Sequence, residues 1–340
     1  MSSLGDLIHT LPAVTDMATY LENQKKDFQI DWIAEESFAE IPTWHSKINR
    51  TIPIALRRWG KNFKKDFSAV KQEWKNFKQE LQTENYDVIL DAQGLVKSAI
   101  VSLFAKLSKE GKRIGLDFSS ATESLASFCY QKKVHVDLQA QAVFRMRSIF
   151  AQSFDYDFNT MPFTYGLKIP EESGLRKPYV LFAHGTTWPS KRLSLKHWIA
   201  IAKFITDKGV NVYLPWGNTL EKDEAEAIAH ENPRVSVLPK QNLTELSRLI
   251  AHAKAMVSID TGLAHLAAAF NIPNVTIYGP TSPNRTGTVG NHQIHFQPAF
   301  DCLYCDKPLC RYSAKKHLMP QCLNSLKPEE IFKAIEIYLN

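Results

Sequence analysis

The sequence predicts an α/β protein made of two successive halves, and three observations carry that prediction. The stretch from Met256 to Pro283 reads as strand, tight turn, helix, short loop, strand and turn. Alternation of apolar strand-like runs with helical periodicities occurs twice, on either side of a segment at 161–173 that has two prolines and no clear period. Finally, the loops richest in His, Gly, Thr, Trp and Lys follow strands, at the carboxyl edge where open parallel sheets bind ligands.

The 340 residues suffice for two domains with their own cores, and 44% hydrophobic with 22% charged residues is the balance of a soluble globular protein. A net charge of +6 is too modest to point to nucleic acid. No apolar run is long enough to span a bilayer and no basic leader precedes the first helix, so a cytosolic location is expected. The five cysteines are then expected as reduced thiols or metal ligands.

Taken in order, Gly5-Asp6 opens a helix from about Leu7 toward Tyr20, which Pro12 bends or begins. Asp6 is either a plain helix cap or a carboxylate held at a strand edge facing a cleft. Phe28 to Ala34 alternates like a strand, and Ile52-Pro-Ile-Ala-Leu56 is another, placed at an edge by Pro53. A long helix follows to about Gln82. Trp59, Phe63, Phe67, Val70, Trp74, Phe77 and Leu81 recur on it every three or four residues as one apolar face. Between Arg57 and Leu81 eight basic residues stand against three acidic ones, an excess of five. That reads as a face for anionic groups, either a phosphorylated lipid headgroup or a membrane surface. Tyr86 to Asp91 is a strand that turns into a helix whose first turn carries Lys97, a position that disfavours a cation unless an anion binds there. A brief strand at Arg113–Leu116, a short one at 134–136 and a helix around Arg145 and Arg147 end the first half.

The second half restarts at strand Tyr179–Ala183, with its loop at His184–Arg192 and a helix at Leu195–Asp207. Strand 210–215, helix 221–230, strand 235–238 and helix 243–253 follow. In the stretch after Met256, Gly262 permits a sharp turn, Asp260 or Thr261 caps the next helix, and its three successive alanines call for a close packing neighbour. The N–H groups at this helix start form an anion site, with His265 one turn in. Cys302, Cys305, Cys310 and Cys322 are spaced Cys-x2-Cys-x4-Cys-x11-Cys with His317 between, which fits either a structural zinc that pins a loop or a loop of free thiols. Cys129 is expected in the core. Residues 326–338 form a last helix.

Two such halves, a linker and a last helix suggest a GT-B glycosyltransferase, and the motifs are more specific. Ser2-Ser-Leu-Gly-Asp6 with His9-Thr-Leu-Pro12, the run at 52–59, Asp91-Ala-Gln-Gly-Leu-Val-Lys-Ser98, Leu214-Pro-Trp-Gly217 and Ser258-Ile-Asp-Thr-Gly-Leu-Ala-His265 resemble the bacterial lipopolysaccharide heptosyltransferases of glycosyltransferase family 9. The resemblance covers nearly the whole chain. It implies two Rossmann-like domains facing across a cleft. The acceptor domain spans 1–165 and the ADP-sugar domain 174–325. A helix at 326–340 packs back on the first domain.

The implied reaction is inverting transfer of L-glycero-D-manno-heptose from ADP-heptose to Kdo of Kdo2-lipid A, with no cofactor, on the inner face of the inner membrane. Asp6 matches the general base. Thr186, Thr187, Lys191, Trp216, Glu221, Asp260, Thr261, Gly262, Leu263 and His265 match donor-binding positions. Ser3, Gly5, Arg57, Arg58, Lys61, Lys97 and Arg145 match acceptor-binding positions suited to carboxylates and phosphates. The family carries a strand before Ser2-Ser-Leu-Gly-Asp6 that this chain lacks, so the chain as numbered is expected to be unstable or inactive. Thr122 stands where a basic residue is frequent. The alternatives are an enzyme adding to a first heptose instead of Kdo, a nucleotide-sugar epimerase of the same architecture, and a non-catalytic binding module. No Gly-x-Gly-x-x-Gly follows a strand and no Walker lysine motif occurs, which removes a dehydrogenase.

Overall fold

The computed structural model describes residues 3–339 except 173, 177, 231, 301, 303 and 313–319. It divides into two compact units, residues 1–168 and 169–340, with the boundary inside the segment expected as a linker.

The first unit begins with α1 (Leu4–Asn23), which starts three residues before the expected point because Ser3 is its N-cap and accepts from the Asp6 N–H. Pro12 lies inside this helix. Then come β1 (Asp31–Glu35), α2 (Glu40–Thr43), β2 (Arg50–Ile54), α3 (Leu56–Asn62), α4 (Phe67–Leu81), β3 (Asn85–Asp91), α5 (Val96–Phe104), β4 (Lys106–Leu116), β5 (Lys132–Val134) and α6 (Ala142–Phe154). All pairings are parallel, but the strands form two sheets, β1-β2 and β3-β4-β5. β2 pairs only with β1 among the described residues, so Pro53 sits on an edge strand as its missing N–H requires. A polar knot ties the two sheets: Tyr86 of β3 donates to Asp31 of β1 at 2.8 Å, and Arg50 of β2 donates to both.

Alternating side chains build a core on each face. Trp32, Val88, Leu90, Ile114 and Leu116 pack with Ala13, Val14 and Met17 of α1 and Ile149 and Phe150 of α6. Ile33, Ile52, Ile54 and Ile89 pack on the other side with Trp59, Val70, Phe77 and Leu81. The single helix expected from Trp59 to Gln82 is two helices. Asp66 caps a new start, its side chain accepting from the Ala69 N–H, and the chain turns between Asn62 and Phe67. The turn takes Phe63 and Phe67 off the apolar face, and they are 54% and 55% exposed.

The second unit runs β6 (Tyr179–Ala183), α7 (Leu195–Asp207), β7 (Asn211–Leu214), α8 (Thr219–Ala229), β8 (Val235–Val237), α9 (Leu243–Ala251), β9 (Ala255–Ile259), α10 (Gly262–Ala269), β10 (Asn274–Ile277), α11 (Pro283–Thr286), β11 (Gln293–Phe296), α12 (Gln321–Asn324) and α13 (Pro328–Glu336). Its six strands form one parallel sheet in the order β11-β10-β9-β6-β7-β8. The chain builds outward from β6 to β8, then returns to the other side of β6 with β9. The order therefore reverses between β6 and β9, the place where open α/β sheets leave a crevice at their carboxyl ends. Ala264, Ala267 and Ala268 of α10 are buried where that helix packs on β9 and β10, with Ser258, Asn274 and Thr276 sharing buried hydrogen bonds beneath it. The last helix, expected to return to the first half, packs on the core of the second unit. Ile331, Phe332 and Ile335 of α13 join the core of Ile201, Ile205 and Ile277, with Phe332 against Phe204.

Candidate functional site

The reversal between β6 and β9 brings together side chains 69 positions apart. Asp260 stands at the end of β9, and Lys191 lies in a short 3₁₀ turn, Pro189–Lys191, after β6. The Lys191 Nζ meets Asp260 Oδ2 at 2.6 Å, and the Thr281 hydroxyl donates to the same oxygen at 2.6 Å. Lys191 also lies 4.8 Å from the centre of the Trp188 ring. The lysine is thus held from two sides at a strand edge, in an ion pair with Asp260.

Helix α10 starts beside this pair. Its N-cap is Thr261, whose side chain makes no capping bond, so the first N–H groups, at Gly262 and Leu263, are not satisfied by that hydroxyl. Together with the dipole they favour an anion. His265, expected as a further donor one turn into the helix, is buried at 4% exposure. Burial first, then Lys191 and His295, push its pKa down to about 3. It is a neutral imidazole and adds no charge to the site.

A second cluster lies after β6 and β7. The Glu221 carboxylate accepts from the Gly217 N–H at 2.7 Å, and its backbone carbonyl accepts from His184 Nε2 at 2.9 Å. A Cβ on Gly185 would lie 2.5 Å from the Glu221 carboxyl carbon, so the glycine there permits this close approach. Trp216 donates from its indole to the Leu238 carbonyl at 2.7 Å. Thr186 accepts from the Trp188 N–H at 3.1 Å, and Thr187 is exposed. The expected donor-side residues of the second unit therefore occupy the loops after β6, β7 and β9.

Sequence reasoning missed two contributors. Thr281 lies in the turn after β10, and its position on the same sheet edge was the available signal. Ser190 is clamped by the cysteine loop: its N–H donates to the Pro308 carbonyl at 3.1 Å and its hydroxyl to the Lys307 carbonyl at 2.6 Å. That loop also donates from Tyr304 N–H to Gly279 and from Asp306 N–H to Pro280. It buttresses the turn that carries Lys191. The pKa of Cys322 is pushed up to about 11 by burial, then by the nearby Cys302, Cys310 and Cys305. Cys322 thus lies within electrostatic reach of the other three sulfurs. Among the described residues, however, no three His, Cys, Asp or Glu side chains are arranged to hold a metal. His317 lies outside the described residues.

In the first unit, Asp6 is exposed in the first turn of α1, with the Ser3 hydroxyl donating to its carboxylate at 2.8 Å. Gly5 is in the same turn. Helices α3, α5 and α6 each follow a parallel strand and carry Arg57, Arg58 and Lys61, then Lys97, then Arg145. The Arg57 N–H donates to buried Glu35 at 3.1 Å, which anchors the start of α3. Arg58, expected on the acceptor side, is held by two carboxylates. It donates to both oxygens of Glu36 and both of Glu73, so its charge is matched within the fold. The anion expected at the start of α5 is the protein's own: Glu123 accepts from the Val96 N–H at 2.6 Å beside exposed Lys97. Arg145 donates to the Leu138 carbonyl at 3.4 Å.

The model of glycosyltransferase family 9 (heptosyltransferase) matches residues 74–316. Lipopolysaccharide heptosyltransferase 1 of Pseudomonas aeruginosa is 38% identical over 99% of this chain and 96% of its own length. The Escherichia coli K12 protein of that name is 42% identical over 86% of this chain and 90% of its own. A solved structure of E. coli heptosyltransferase WaaC with ADP superimposes with a TM-score of 0.84 at 36% identity, covering 99% of this chain and 98% of that one. A second structure, with ADP-2-deoxy-2-fluoro heptose, gives 0.82 at 35% over 99% and 97%. The chain has a GT-B fold, and it belongs to glycosyltransferase family 9, the heptosyltransferases.

Proposed function

We propose that this glycosyltransferase moves L-glycero-D-manno-heptose from ADP-heptose to Kdo of Kdo2-lipid A, with inversion, at the inner face of the inner membrane. The observation that carries the reading is the Lys191–Asp260–Thr281 cluster beside the open start of α10 at the sheet's reversal point. It supplies positive charge and N–H donors for a diphosphate. The relatives solved with ADP and with an ADP-heptose analogue support that ligand class.

In the reaction, an acceptor hydroxyl oxygen bonds to the anomeric carbon as the bond from that carbon to the β-phosphate oxygen breaks. ADP leaves with the electron pair, and the hydroxyl proton passes to a carboxylate. Lys191 and the α10 N–H groups oppose the negative charge that grows on the leaving diphosphate. Asp6 takes the proton, and the Ser3 hydroxyl orients its carboxylate. Glu221, fixed by Gly217, receives ribose hydroxyls, with Trp216, Thr186 and Thr187 around the nucleoside. On the acceptor side, Arg57, Lys61, Lys97 and Arg145 meet carboxylates and phosphates, whereas Arg58 shapes α3. No cofactor takes part in any of these steps. The cysteine loop's part is mechanical, through Ser190.

The test is incubation with ADP-heptose and Kdo2-lipid A, read by mass spectrometry. Gain of one heptose is the expected result, and it would overturn the expectation that the chain as numbered is inactive. No gain on Kdo2-lipid A, with gain on an acceptor already carrying heptose, assigns the second transfer instead. Consumption of donor without an acceptor overturns transfer altogether.

A further inference from the structure

The break between α3 and α4 leaves an open apolar groove that serves no part of the site above. It is lined by Trp59, Phe63, Phe67, Val70, Lys71 and Trp74, with a volume of about 330 Å³. Phe63 and Phe67 stand edge to face at 5.1 Å on its rim, each more than half exposed. Both belong by periodicity to the core-facing stripe, yet the fold holds them in water. Exposed aromatic pairs cost solubility and recur where a surface meets an apolar phase.

The surroundings say which phase. Lys71 lines the groove, Lys64 and Lys65 stand in the turn between α3 and α4 next to Phe63, and Lys75 follows Lys71 by one helical turn; all four are exposed, and none of them pairs with a carboxylate among the described residues. The local acids are otherwise engaged. Asp66 caps α4, and Glu73 is bound by Arg58 and by the Trp59 indole. The rim is therefore apolar at its centre and positive at its margin. That pattern is complementary to acyl chains beneath a layer of anionic headgroups, with lysines reaching outward to phosphates.

We propose that the aromatic groove between α3 and α4, with Phe63 and Phe67 at its rim, is the surface by which this chain docks on an anionic lipid bilayer. The proposal deepens the function above, whose acceptor is a membrane lipid. Its deciding readout, vesicle binding, omits donor and acceptor, so the two readings succeed or fail separately.

The full chain is mixed with vesicles of phosphatidylethanolamine and phosphatidylglycerol, or of phosphatidylcholine alone, and the bound fraction is read by flotation. Binding to the anionic vesicles alone, weakening as salt rises, is expected. The double variant Phe63→Ser, Phe67→Ser lowers the partition coefficient by roughly tenfold or more, whereas Phe63→Leu, Phe67→Leu retains most of it. The triple variant Lys64→Gln, Lys65→Gln, Lys71→Gln removes most of the salt dependence. Transfer to a soluble deacylated acceptor stays at the wild-type rate in the Phe double variant. Equal binding by wild type and the Ser double variant overturns the proposal. So does loss on Leu125→Ser, Phe128→Ser, which removes a different exposed apolar pair, with Phe63 and Phe67 intact.

Discussion

Single residues decide whether the site can act. Lys191 is the cation that Asp260 and Trp188 hold at the strand edge, so Lys191→Ala is expected to lower kcat by roughly 10²–10³ through lost stabilisation of the leaving group. The melting temperature should also fall, because buried Asp260 loses its counter-charge, so kcat is measured well below the melting temperature of the variant. Steady-state kinetics with saturating donor check this, and an unchanged kcat would remove Lys191 from the chemistry. His45 governs a different property. Its Nδ1 accepts from the Lys47 N–H at 3.1 Å, which leaves Nε2–H to face the Thr15 hydroxyl at 2.8 Å. Burial, then the Lys47 charge, lower its pKa from 6.5 to about 4. Between those values the unfolded chain binds the proton and the folded one does not. Stability is therefore full above pH 6.5 and falls as the pH drops toward 4, by roughly 3 kcal/mol from this group. Urea unfolding of wild type and His45→Gln at pH 7 and pH 4.5 measures it, and the variant should show the weaker pH dependence.

At the scale of elements, the close approach of the loop after β6 to helix α8 is set by one missing methyl. Gly185→Ala places a Cβ 2.5 Å from the Glu221 carboxyl carbon, so the carboxylate must leave the Gly217 N–H. The donor KM is expected to rise roughly tenfold, the worth of one charge-assisted hydrogen bond, with kcat changed less. Helix α10 gives the packing counterpart. Ala267 is fully buried, and Ala267→Leu should destabilise the chain by about 1–3 kcal/mol in chemical denaturation, since no space receives the added carbons. The elements themselves were largely legible. Strand β6 and helix α7 fall where periodicity places them, because long apolar patterns with clear breakers leave few alternatives. The region from Trp59 to Leu81 misled for a physical reason. Its apolar spacing is continuous, but Asp66 offers a cap that restarts the helix, and a cap bond outweighs the weak propensity to continue.

At the scale of the whole molecule, each unit has its own core, and the second has a complete six-stranded sheet. A fragment of residues 169–340 is therefore expected to fold and to bind ADP, as read by calorimetry, because the Lys191 cluster, the start of α10 and Glu221 all lie within it. Absence of ADP binding by the folded fragment would place the nucleotide elsewhere. Helix α13 belongs to that fragment, since Phe332 and its neighbours fill the core under α7. No helix among the described residues is long and apolar enough to cross a membrane.

By itself the sequence determined the alternation of strands and helices, the two-part division, the strand-end loops that carry the polar residues, and the family. These follow from local periodicity, breakers and short motifs, which act over a few residues. Tertiary structure alone decided that Lys191 and Thr281 meet on one oxygen of Asp260, that Arg58 is neutralised by two carboxylates, that Glu123 fills the start of α5, and that Phe63 and Phe67 face water. Each of these depends on groups far apart in the chain or on a competition between a cap and a continuing helix. Sheet order and burial settle such questions, and no local pattern encodes them.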